Sequence, residues 1–283
     1  RSTKSKSLAA AAYAQKADSI EIEEEATREG GAFQDYLSLT YGPPKIGKST
    51  LWSLFPGVYF LPTEPGYKSL KVRKSYIPNW GTFIKFVTTM ERKPKLYRDI
   101  SIFCLDTVDN LSKFCLQYVC GREDIAHPAD QEWGKGWEAF RDEFTHWILR
   151  LCALGPGVSF ISHQNVREVI FHGVKMPKET PAMPKTSYTV INNLVDIILK
   201  ISYVGKLKSR KDVLSTKRCI YTQPTAMYDA GDRTGNLPEK IVFKTEKEAV
   251  RIILDSFKKK TKTGKHERRS KTKSRPRNKK RTR

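Results

Sequence analysis

The 283-residue sequence contains no run of about 18 apolar residues, so nothing in it reads as a helix crossing a bilayer. Cysteine is scarce. The five thiols (Cys104, Cys115, Cys120, Cys152 and Cys219) include no C-x-x-C pair, and none of the five histidines lies at ligand spacing to them. That pattern excludes a disulfide scaffold and argues against zinc. The flanking residues are apolar, which points to buried free thiols in a reducing, intracellular compartment. Acid is short as well: 30 Asp and Glu face 52 Lys and Arg, for a net charge of +22. An excess of this size calls for a polyanionic partner. At 39% hydrophobic residues the chain still has ample material for a core, so wholesale disorder is excluded.

The excess charge is unevenly placed. Residues 258–283 carry 15 bases against Glu267, and residues 200–218 carry seven against Asp212, which leaves a net of only +2 elsewhere. The C-terminal stretch has no aliphatic or aromatic residue, so it cannot offset its own ordering entropy and offers no stacking platform. It reads as an arm that grips phosphates without reading bases, or as a solubilising tail. Residues 1–17 hold four bases, no acids and several Ser and Ala, a composition like an organellar targeting segment or its remainder. Three regions follow: an N-terminal extension over 1–35, one folded domain over 36–257, and a basic tail over 258–283.

Within the domain, Tyr36–Tyr41, Val58–Leu61, Ile100–Leu105, Val158–Ser162 and Val195–Val204 read as strands, several of them continuous apolar runs that need cover on both faces. Lys48–Phe55, Trp133–Leu151 and Thr245–Phe257 read as helices, the last opened by a Thr245/Glu248 capping box. Trp133, Trp137, Phe140, Phe144 and Trp147 fall on one helical stripe suited to the core. Strands alternating with helices predict an α/β fold with a mainly parallel sheet flanked by helices.

Gly42–Thr50 (Gly42, Pro43, Pro44, Lys45, Ile46, Gly47, Lys48, Ser49, Thr50) matches G-x-x-x-x-G-K-[ST] between a strand and a helix. The glycines let backbone N–H groups curl around phosphate, and the helix N-terminus adds its dipole. Lys48 is placed to reach the β/γ-phosphates and Ser49 to ligate Mg²⁺, so ATP and Mg²⁺ are the expected ligands. Asp106 follows a buried strand, where a carboxylate can hold the metal; it could equally cap the next helix. Glu64 follows the second strand, as a residue orienting the attacking water or as a solvated turn acid.

With these positions in place the chain resembles RecA-type cores, and more narrowly the phage-type RecA-like ATP-binding proteins that include single-strand annealing and recombination ATPases. The resemblance rests on GPPKIGKSTL, FLPTEPG, FCLDTVDNL, EWGKGW, FISHQNVRE and DRTGNLP, spread over Tyr36 to Val242. It implies a RecA-like P-loop NTPase acting on single-stranded DNA or RNA. His163 or Gln164 would sense the γ-phosphate, residues 164–190 would correspond to the strand-contacting loop, and Arg233 would act as a finger toward a neighbouring subunit of a homo-oligomer. Two departures, Pro62 in place of an acid and Gly231 in place of a lysine, would lower turnover. The rival expectation is an RNA-bound component of a ribonucleoprotein, such as a mitochondrial ribosome, holding ribosomal RNA and keeping a nucleotide site with little turnover. Location follows the choice: the mitochondrial matrix, or a bacterial or phage-host cytoplasm. A small-molecule kinase lacks an obvious lid or acceptor site.

Overall fold

The computed structural model describes residues 31–204 and 217–270, with side chains as far as Lys258. Residues 1–30 of the expected extension over 1–35, most of the internal basic segment (205–216) and the end of the tail (271–283) lie outside the described residues. No described helix is long and apolar enough to cross a membrane.

Strand β1 (Ser38–Gly42) leads through the phosphate loop into α1 (Lys48–Trp52). Strands β2 (Val58–Pro62) and β3 (Arg73–Lys74) precede α2 (Trp80–Arg92), and β4 (Ile102–Asp106) precedes α3 (Val108–Arg122). Helix α4 (Lys135–Cys152) leads to β5 (Gly157–Phe171), β6 (Val174–Pro181), α5 (Lys185–Leu194) and β7 (Ile197–Tyr203). Short strands β8 (Arg218–Tyr221), β9 (Gly231–Asp232) and β10 (Lys240–Phe243) close the sheet before α6 (Glu246–Ser270).

The sheet runs β10-β8-β7-β1-β5-β4-β2-β3. The six strands from β7 to β3 are parallel, while β8 and β10 are antiparallel additions at one edge. This is the expected α/β architecture. The alternation of each strand feeds two cores. Phe103, Leu105, Val158 and Phe160 pack on one face beneath α2, α3, α4 and α5. Ile102, Cys104 and Ile161 face the other side, where α1 and α6 supply Leu51, Trp52, Val250, Ile253 and Phe257. Phe33, ahead of β1, is buried there too, stacked near Trp52 and Phe55.

Three expectations need correction. Trp133 is not in the helical stripe: it adopts φ 59°, Gly134 follows at φ 71°, and the Trp133 side chain is 92% exposed. Two successive left-handed residues cannot continue a right-handed helix, so α4 starts at Lys135. Phe140 and Phe144 are buried as expected, with Trp137 and Trp147 at the margin of the same core. The last helix does not stop at Phe257 but runs to Ser270, since Lys and Arg are good helix formers even with no apolar face to bury. Lys200, counted with the internal basic segment, is buried: it is ion-paired with Glu179 and lies over the rings of Tyr221 and Tyr228. Its charge is spent inside the fold.

Candidate functional site

Parallel strands of an open sheet expose their carboxyl ends along one edge, and loops there form the natural crevice. Eight residues proposed from sequence converge on it. Lys45, Gly47, Lys48, Ser49, Thr50, Glu64, Asp106 and His163 all line one cavity of about 360 Å³, together with Tyr67 and Thr107. The register explains the convergence: Gly42 at the end of β1 lies beside His163 on β5, and Asp106 at the end of β4 lies between Pro62 and Ile161.

The phosphate loop is shaped by close approaches. A Cβ on Gly42 would meet the Ile201 carbonyl oxygen at 2.5 Å, so β1 and β7 tolerate only glycine there. Gly47 has φ 100°, and a Cβ on it would lie 2.6 Å from Glu246 Oε1 and 2.7 Å from an Arg218 guanidinium nitrogen. That ion pair braces the loop from outside. Arg218 donates to the Ile46 carbonyl at 3.0 Å and to Glu246 Oε1 at 2.5 Å, with its guanidinium over the Phe243 ring. Burial is the largest single influence on the Glu246 carboxyl and would raise it, but the hydrogen bond from Arg218, a backbone hydrogen bond and the Arg218 charge together outweigh it and hold the group below the ordinary glutamate value.

Lys48 is buried, and its ammonium donates to the carbonyls of Gly42 at 2.8 Å and Pro43 at 3.0 Å. Burial lowers its pKa, while the charges of Asp106, Asp109 and Glu64 pull it back up. A buried ammonium held only by neutral carbonyls is suited to an anionic phosphate. Ser49 Oγ donates to Asp106 Oδ2 at 2.5 Å, so the two expected metal ligands already meet. A hydroxyl and a carboxylate oxygen are the hard donors Mg²⁺ selects.

Glu64 keeps 44% of its side chain exposed but is anchored on one side. Its Oε1 accepts from Asn110 Nδ2 at 2.6 Å and Thr107 Oγ1 at 3.2 Å, which fixes the carboxylate at the cavity wall. The ends of β2 and β4 are tied to one another as well: Thr107 N–H donates to Thr63 Oγ1 at 2.9 Å, and Thr63 N–H donates to the Asp106 carbonyl at 2.8 Å. His163 Nε2 lies 3.8 Å from Glu64 Oε1. Gln164, the next residue, points to the opposite face of the strand, as the pleat requires, and does not line the cavity.

Sequence reasoning missed several residues. Asp109, on the first turn of α3, accepts from Ser162 Oγ at 2.5 Å and from the His163 N–H at 2.7 Å, pinning the end of β5. Burial raises its carboxyl above the ordinary aspartate value, against the pull of those two hydrogen bonds. The Tyr67 hydroxyl donates to Asp106 Oδ2, the oxygen that also accepts from Ser49. No motif encodes Tyr67 or Arg218. The D-x-x-D/N spacing of Asp106, Asp109 and Asn110 was the one available signal.

Arg233 is not brought to the cavity. It is exposed; its N–H donates to the Asp196 carbonyl and its guanidinium reaches the Asn193 carbonyl at 3.5 Å. The adjacent Asp232 pairs with Ile197, which sits opposite Ser38, so Arg233 lies at the other end of the parallel strands from the phosphate loop.

No curated protein matches the chain. Among solved structures, the flagellar accessory protein FlaH from Methanocaldococcus jannaschii is similar at 12% identity and a TM-score of 0.41, over 76% of this chain and 87% of that one. A family model, AAA_24 (AAA domain), matches residues 35–234. That span is more than half of the chain and takes in every residue lining the cavity, and on it the chain belongs to the AAA_24 family of P-loop AAA domains.

Proposed function

We propose that this chain binds ATP with Mg²⁺ and hydrolyses it as a RecA-like protein acting on single-stranded nucleic acid, of the recombination or annealing type. The observation that carries the reading is the meeting of Ser49 and Asp106 at 2.5 Å, with Glu64 held at the wall of the same cavity. Lys48 exchanges its backbone carbonyls for the β/γ-phosphates, and the N-terminus of α1 adds N–H donors. Mg²⁺, held by Ser49 and Asp106, supplies neutralisation of phosphate charge. Glu64 accepts a proton from, or orients, the attacking water. Asn110 and Thr107 keep that carboxylate from rotating away, which preorganises it. His163, beside Gly42 and Glu64, is the group through which a change at the phosphates reaches β5.

The nucleic-acid part of the proposal rests on charge. The bases of the β5–β6 hairpin already have partners within the chain: Lys175 pairs with Glu168 at the surface, Lys178 with Asp229, and Arg167 donates to the Met183 carbonyl. The phosphate grip is therefore assigned to the tail over 258–283, with its 15 bases. If about five of them touch a single strand, log K falls with log salt at a slope near −3.5. Deleting 258–283 should flatten that slope; an unchanged slope would remove the tail from the interface. A phage-type or an organellar setting is compatible with this chemistry.

ATP hydrolysis measured with and without single-stranded DNA or RNA, with Lys48→Ala as control, tests the whole. Strand-stimulated turnover that falls about 100-fold or more in the variant supports the motor reading. The second reading, a ribonucleoprotein component with a nucleotide site of little turnover, is favoured by Pro62 and Gly231, which stand where an acid and a lysine are expected. Tight RNA binding without turnover in either protein would select it.

A further inference from the structure

The loop after β2 does more than carry Glu64. Pro65 and Gly66 lead into a single turn, Tyr67–Ser69, which folds Tyr67 back into the cavity. Its ring meets Phe60 edge-on with centroids 5.3 Å apart, and its hydroxyl donates to Asp106 Oδ2. Ser49 Oγ donates to that same oxygen. The two groups with the chemistry to hold Mg²⁺ thus share one carboxylate oxygen with a third group that has no place in a phosphate loop.

We propose that Tyr67 sets the metal requirement of the site: its hydroxyl competes with Mg²⁺ for Asp106, so loading the metal displaces Tyr67 from the carboxylate. This rests on the reading of the cavity as an ATP·Mg²⁺ site. The geometry supports a displaceable group. Glu64 is anchored to Asn110 and Thr107, upstream of Pro65 and Gly66, so Tyr67 can move without carrying Glu64 with it. Gly66 has no neighbouring atom within 4 Å of where a Cβ would stand, so the turn has room to swing. A hydrogen bond from a neutral hydroxyl to a carboxylate is strong enough to oppose a cation, yet weak enough to yield to one brought in with a triphosphate.

The test uses the full chain and an ATP analogue carrying a fluorescent label on its ribose, titrated over a range of free Mg²⁺ and in its absence. Tyr67→Phe keeps the ring against Phe60 and removes only the hydroxyl. In that variant the half-saturating Mg²⁺ concentration should fall about tenfold, and the ratio of affinities with and without Mg²⁺ should rise by the same factor. A merely structural role would move the unfolding midpoint and leave that ratio alone. Backbone hydrogen exchange over 66–70 should speed up in the wild-type protein when Mg²⁺ and nucleotide are added together. An unchanged or raised Mg²⁺ requirement in Tyr67→Phe would overturn the proposal, because the hydroxyl would then be supporting Asp106 in the loaded site. If the analogue binds neither protein, with or without Mg²⁺, the reading of the cavity falls as well.

Discussion

Strand β5 lives in two environments. Its first six residues, Gly157–Ser162, are all buried between β1 and β4; His163 still pairs with Gly42 of β1, and from Gln164 to Phe171 the strand pairs with β6 alone and is mostly exposed. Both halves are rich in apolar residues, yet Phe160 is fully buried and Ile170 is 72% exposed. A run of apolar letters therefore does not by itself locate the core. Layers on both faces do, and they end where the hairpin leaves the sheet. The candidate site sits at that change, with His163 as the first residue beyond the buried half. The outer edge of β6 is bridged at Glu179 to Tyr228, and the strand carries Pro177, Pro181, Lys175 and Lys178, residues that discourage further pairing with another strand.

The largest effect that would sharpen the contrast is expected at Phe160. Phe160→Ala removes a ring from a core lined by Leu39, Leu105 and Phe144, and should cost about 3–5 kcal/mol by denaturant unfolding. A loss below about 1 kcal/mol would mean that the buried half is no more packed than the hairpin, and the comparison would break.

The junction should come next. Asp109→Ala leaves the His163 N–H without its acceptor and the Ser162 hydroxyl with only the His163 carbonyl at 3.0 Å, at a cost of about 1–3 kcal/mol. The same residue sets a pH dependence of definite sign. Its carboxyl titrates above the ordinary aspartate value because burial penalises the charge, so the folded state holds that proton more tightly than the unfolded chain. The stability this contributes is full below the ordinary aspartate pKa and is lost as pH rises through the raised value. Unfolding midpoints followed across that window should decline in the wild-type protein, and Asp109→Asn should remove this part of the decline.

Much of this site was legible in the letters. The phosphate loop declares itself because its chemistry demands glycine, lysine and a hydroxyl at fixed spacing. Asp106 and Glu64 were found because each follows an apolar run, and a strand end places a carboxylate in the crevice. Tyr67, Asp109 and Arg218 were not legible. Each acts on a partner from another element (Tyr67 on Asp106, Asp109 on the end of β5, Arg218 on the phosphate loop), and only the folded sheet makes them neighbours. Lys200 misled for a related reason: a lysine in a basic run looks like surface charge until Glu179 and two tyrosine rings enclose it. The hairpin was overlooked because its residues, unlike a half-buried strand, need no regular alternation when both faces meet water.

A smaller effect is expected at the hairpin turn. Gly173 has φ 81° and follows His172 at φ 47°, so Gly173→Ala places a Cβ in left-handed backbone at a cost of about 1 kcal/mol. The strain should be released locally. Amide exchange over 164–181 should rise while the amides of β1 and β4 keep their protection, since the hairpin can open without unpacking either core. Equal acceleration in β1 would show that the two halves of β5 unfold as one unit.

The smallest effect is expected for Ile170→Ser and Val174→Ser, at residues 72% and 63% exposed. Solvent already wets most of their surface, so little transfer free energy is lost, and each change should stay within about 0.5 kcal/mol of the wild-type stability. β-Propensity acts in the same direction, since serine is a weaker strand former than isoleucine or valine, so the sign should be a slight destabilisation. This near-neutrality makes the pair informative: an assay in which both variants fold normally but lose strand-stimulated hydrolysis would place the apolar hairpin in contact with the nucleic acid. Unchanged stimulation would leave the hairpin outside that interface and the burden of binding on the basic tail.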